Sequence, residues 1–124
     1  MEDVSKNKSA DIEEGDFPPS PIAASGLLVP IRTWLEMVRE TEITKVEFDI
    51  FWFDSVKDGV AYFFRWMGEP RSTILVVWNR DGPTHIECRK VGNLIVSEAE
   101  SMPMIAEITH LFRSAGFGRN KTDH

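Results

Sequence analysis

The sequence predicts an α+β fold: a four- to five-stranded antiparallel meander sheet flanked by an N-terminal and a C-terminal amphipathic helix. Three observations carry this expectation. Apolar residues recur at helical spacing near the two ends of the chain, over 31–38 and again over 104–115. Between them lie runs rich in β-branched and aromatic residues, which suit a pleated, half-buried surface. Short Gly, Pro and Asp punctuation joins these runs (DSVKDG, GEPR, RDGP), and connections that short force antiparallel neighbours.

Taken in order, residues 1–26 are expected to form a disordered acidic arm. They combine charge, Ser, Pro and Gly, and hold six acids and two bases, too polar a segment to offset its own ordering entropy. Phe17 stands before two prolines and is a candidate short linear motif. A single domain is expected over 27–117. Its first helix runs from Pro30 to about Glu40, with Ile31, Trp34, Leu35 and Val38 as the apolar stripe and Arg32, Glu36, Arg39 and Glu40 on the wet side.

A long first strand follows over 43–53, then strands over 60–67, 72–79 and 84–91, with LIVS at 94–97 as a short fifth strand or a lead into the next helix. The last helix is capped by Ser101, tolerates Pro103 in its first turn, and buries Met104, Ile105, Ile108, Leu111, Phe112 and Ala115. Gly116 ends it, and Arg113 complements its dipole. Residues 118–124 are expected to fray.

Composition narrows the function classes. At 124 residues and 42% hydrophobic, the chain is one domain with its own core. The lone cysteine, Cys88, makes no internal disulfide, which points to a reducing, cytoplasmic setting. No apolar run reaches the length of a membrane span. The net charge is −6, of which the arm holds −4 and the remaining residues −2. A nearly balanced body lacks the basic field that nucleic acids require, so neither membrane nor nucleic acid is an expected partner.

No catalytic chemistry presents itself. Cys88 and His85 lie three apart on one strand and so face opposite sides, which rules out a thiol–imidazole pair. His85 and Glu87 share a side, but joining them to Glu47 or Asp49 as a metal site would need the sheet to curl into a barrel. No cofactor is expected, and an enzyme is the less favoured reading.

The aromatic distribution is more telling. With Phe48, Ile50 and Trp52 on the core side of the first strand, neighbouring strands match with Tyr62, Phe64, Trp66, Ile86 and Cys88. The other side still carries Phe51, Phe53, Ala61, Phe63 and Met67, more apolar area than two helices are expected to hide. The expectation is therefore a small acidic protein-binding module, such as an inhibitor, an immunity protein, an accessory factor or a chaperone-like binder. It would act as a homodimer or with another protein partner through this aromatic sheet face. Phe51, Phe53, Phe63, Met67 and, if it faces outward, Trp78 would be the anchors, with Arg65 and Arg89 as polar complements. Three alternatives stand beside this. One helix could lie on each face, making the sheet a buried middle layer. A ligand or substrate pocket could lie between the last helix and the sheet, lined by Tyr62, Trp66 and Met104. Double-stranded RNA binding fits the order of elements but lacks its basic helix terminus.

Overall fold

The computed structural model describes residues 16–49 and 51–118. Residues 1–15 of the expected arm, residues 119–124 of the expected tail, and Ile50 of the expected core lie outside the described residues. Along the chain come β1 (Leu28–Pro30), α1 (Trp34–Thr44), α2 (Phe51–Lys57), β2 (Ala61–Trp66), β3 (Ser72–Asn79), β4 (Gly82–Lys90), β5 (Leu94–Ile95) and α3 (Glu98–Ser114). The five strands form one antiparallel sheet in the order β1-β2-β3-β4-β5. The α+β class, the meander and the two flanking helices are thus present, and the segment 94–97 does supply a fifth strand. Among the described residues no helix is long and apolar enough to cross a membrane.

The largest departure is at the expected strand 43–53, whose described residues, 43–49 and 51–53, form no strand. Helix α1 begins at Thr33, whose hydroxyl accepts the Glu36 amide, while the Glu36 carboxylate accepts the Arg32 amide. It then runs on through Thr44 and stops at Lys45, which sits in the left-handed region at φ 61° with its N–H on the Thr41 carbonyl. A short loop follows. Asp49 opens α2 by accepting the amide of Phe51 on its carboxylate and that of Trp52 on its carbonyl. Gly59, at φ 80°, closes the exit. The aromatic run is therefore a loop and a two-turn helix. Its strand propensity loses to tertiary packing: Phe53 sits edge-on against Trp34 at 4.5 Å and tilted against Phe63 at 5.3 Å, and Phe48 meets Phe63 at 5.2 Å.

The edge position of the missing strand is taken by β1, three residues ending in a proline, too short to show any alternation. The other hairpins follow their turns closely, and β3 spans the expected residues 72–79.

Register places the side chains. Phe63 lies opposite Leu75, which lies opposite Glu87, so Ala61, Phe63 and Arg65 share a face with Thr73, Leu75, Val77, His85, Glu87 and Arg89. Helices α1 and α2 cover this face, through the Phe63 ring contacts and a Thr73–Glu40 hydrogen bond. Tyr62, Phe64, Trp66, Ile74, Val76, Trp78, Ile86 and Cys88 share the opposite face. There α3 lies across the sheet, with Phe112 against Trp78 and Glu100 on Lys90, and Phe17 packs edge-on against Tyr62. The sheet is a buried middle layer with helices on both sides.

That arrangement corrects the expected exposed aromatic face. Phe63, Leu75 and Ala61 are fully buried by the chain itself, so the part of the face on which they lie is not open to a second copy. The error has a physical source: the residues read as the first strand of an uncovered face are themselves part of the cover.

The arm divides as well. Asp16 bridges to Thr33, the Phe17 amide donates to the Arg32 carbonyl at 2.7 Å, and Ile22 is buried in the core. Residues 16–26 thus pack as part of the fold. At the other end, α3 starts earlier than expected. Ser97, not Ser101, is its cap, in a reciprocal capping box with Glu100, and Pro103 lies within the helix. Met104, Ile108 and Phe112 form its buried stripe, while Ile105 is exposed.

Candidate functional site

The chemistry of the described residues is sparse. No group of three His, Cys, Asp or Glu side chains among them is placed to hold a metal ion. Burial, with the Glu87 charge adding to it, pushes the Cys88 thiol up to about 11, so it is protonated and a poor nucleophile at neutral pH. His85 stacks on Trp52 at 6.1 Å and lies 3.6 Å from Glu87. The expected pocket residues Tyr62, Trp66 and Met104 are all buried in the core.

The expected anchors scatter. Phe63 is core. Trp78 faces α3 and packs near Phe112, so its condition of facing outward is not met. Phe53 is half-buried between Trp34 and Phe63. Phe51 is 59% exposed and touches Trp52 at 5.0 Å. Arg89 is half-buried and 3.2 Å from Glu87. Arg65 and Met67, by contrast, come together in a concave feature among the described residues.

That feature is an open groove of about 540 Å³ between α1 and the β1–β2 end of the sheet, lined by Val29, Glu36, Arg39, Glu40, Ile43, Arg65, Met67 and Arg71. Its position follows from the register. Val29 lies opposite Arg65, and the Met67 amide continues the ladder to the Leu27 carbonyl at 2.7 Å. Both strands therefore turn apolar side chains to the face on which α1 lies. Helix α1 presents Glu36, Arg39, Glu40 and Ile43 at spacings of three and four, one side of a helix.

The floor is locked. Glu40 is 2% exposed, and its carboxylate accepts two hydrogen bonds from Arg71, at 2.6 and 2.9 Å, and one from the Thr73 hydroxyl at 2.5 Å. Arg71 also donates to the Ser72 carbonyl. A buried carboxylate so fully satisfied fastens α1 to β3 across the sheet.

Higher up, pairing is looser. Arg65 reaches Glu36 only at 3.7 Å and the Pro30 carbonyl at 3.4 Å, and its Nε is buried without a hydrogen-bond partner. Arg39 is exposed and makes no ion pair among the described residues. Ile43 is 68% and Met67 51% exposed. The groove thus joins a rigid polar base to a rim of loosely paired guanidinium groups and exposed apolar side chains.

Sequence reading missed Val29, Glu36, Arg39, Glu40, Ile43 and Arg71 as site residues. Glu40 was expected on the wet side of α1, whereas Met37, Glu40 and Thr44 are the residues that helix buries. Their spacing of three and four was visible, but a glutamate does not advertise burial until its arginine is found.

No family model matches this chain, and no curated protein or solved structure is significantly similar to it.

Proposed function

We propose that this chain is a protein-binding module and that the groove between α1 and the β1–β2 end of the sheet is its binding surface. The observation that carries this reading is the conjunction of exposed Ile43 and Met67 with the guanidinium groups of Arg39 and Arg65 around one open concavity. Met and Arg are enriched at interfaces and Arg is among the residues that carry most of their binding energy, and the rigid Glu40–Arg71 base means little reorganisation on binding. The complementary ligand is a short peptide segment with an apolar side chain beside a carboxylate. The first would displace water from Ile43, Val29 and Met67, and the second would engage Arg39 and the loosely paired Nη2 of Arg65.

A displayed peptide library selected against the full chain tests this. The expected result is enrichment of peptides with adjacent apolar and acidic residues, whose affinity falls by about tenfold or more on Met67→Asp or Arg39→Glu, with the far-UV spectrum of each variant unchanged. Selected peptides indifferent to both substitutions would remove the groove from consideration. Thermal unfolding with a metabolite panel checks the small-molecule alternative, since a ligand that binds only the native state raises the melting temperature.

A further inference from the structure

A second surface stands apart from the groove and does not depend on it. Strand β4 pairs with β3 along its length, but β5 covers only its end, at Arg89 and Lys90. Among the described residues nothing pairs with the outer side of β4 between Thr84 and Cys88. The direction of its backbone groups follows from the ladder. Val91 donates its amide to the Arg71 carbonyl, so Arg89, Glu87 and His85 turn toward β3, and Cys88 and Ile86 turn their N–H and C=O outward. Thr84 is the extra residue of a bulge, lying between the pairs Val77 with His85 and Trp78 with Pro83.

An open edge of this kind is a template for another strand, and the side chains select which one. We infer that two copies of this chain associate through β4, antiparallel about a twofold axis at Ile86, joining their sheets into one. In that register Ile86 exchanges backbone hydrogen bonds with the partner's Ile86, and His85 stands directly opposite the partner's Glu87 on both sides of the axis. Each such pair is a donor facing an acceptor, and an ion pair whenever the imidazole is protonated.

The neighbouring registers are disfavoured by named groups. Centring on Glu87 sets two carboxylates face to face. Centring on His85 sets two imidazoles face to face and leaves Glu87 opposite Pro83, with no acceptor for either histidine. Centring on Cys88 opposes Ile86 to Lys90, whose outer side β5 already occupies. Centring on Thr84 brings Glu87 against Asp81. A heterologous strand has no such restriction, so the self-complementary charge order is what points to a second copy.

Sedimentation of the full chain over a wide concentration range tests this. A reversible monomer–dimer equilibrium is expected. Ile86→Pro removes an outward N–H that no bond among the described residues uses and should weaken the dimer by about tenfold or more. His85→Glu, which sets a second carboxylate against the partner's Glu87, should do the same. The double variant His85→Glu with Glu87→Lys should restore the dimer, because each new carboxylate again faces a cation across the axis. Three results would overturn the proposal: a monomer at every concentration, a dimer indifferent to Ile86→Pro and His85→Glu, or slow amide exchange at Ile86 and Cys88 in a monomer that becomes fast when residues 119–124 are deleted. The last would mean that the chain's own C-terminal residues cover the edge.

Discussion

The two edges of the sheet are built differently. At the β1 edge every outward backbone group is taken. Ser25 donates its amide to the Leu28 carbonyl at 2.9 Å and accepts the Leu28 amide on its hydroxyl at 3.0 Å. Pro30 has no N–H to offer, and its carbonyl accepts from Arg65. At the β4 edge the residues from Thr84 to Cys88 find no such partners among the described residues, and the only covering strand there is two residues long. The contrast teaches that edge protection is local chemistry. A serine three residues upstream and a proline within the strand do for β1 what a full neighbouring strand does for β2.

The sides differ in their fastening too. On the β1 side, α1 is tied across the sheet by the buried Glu40–Arg71–Thr73 cluster. On the β4 side, α3 is held by the apolar stripe Met104, Ile108 and Phe112, with one surface pair, Lys90–Glu100. Breaking the first tie should have the largest effect. Glu40→Ala leaves Arg71 without its carboxylate and is expected to destabilise the fold by about 3–5 kcal/mol, read as a shift of the urea midpoint. A loss within experimental error would mean that the cluster does not anchor α1.

An intermediate effect is expected at the closed edge. Ser25→Ala deletes the acceptor of the Leu28 amide, at a cost of about 1 kcal/mol. The sharper readout is hydrogen exchange: the Leu28 amide should lose protection while the amides of β3 keep theirs. Equal loosening of both would show that β1 is not held by its own flank.

The smallest effect is the acid response of the α3 pair. The amide of Ser97 and the Lys90 ammonium hold the Glu100 carboxyl below its ordinary value of 4.5. Because the folded value is the lower one, the contribution of this group is complete above the unfolded value and is lost as pH falls through the folded one. Glu100→Gln should therefore flatten the acid limb of the stability curve slightly and leave its slope near neutrality unchanged. An unchanged acid limb would mean that the surface pair contributes nothing.

These edges also show what was legible in the sequence. The hairpins joining β2, β3 and β4 could be read because GEPR and RDGP are turn chemistry acting within a few residues. The same is true of the α3 stripe, since Met104, Ile108 and Phe112 announce one helix face by spacing alone. The groove was only half visible. Arg65 and Met67 were expected at a binding surface, but as members of a flat sheet face rather than the wall of a cleft. The rest of that cleft depends on Glu40 meeting Arg71, 31 residues away, and Thr73, 33 residues away.

What the sequence by itself determined is the α+β class, the strands β2 to β4 and the terminal helix, because turn residues and apolar periods act locally and need no partner. What only the tertiary structure decided is the state of residues 43–57, the burial of Glu40 and the cover over Phe63. An aromatic run satisfies a strand or a short helix equally well until another surface selects one, and here Phe63 and Trp34 made the selection. A carboxylate is stable in the interior only when its donors are brought to it from far along the chain.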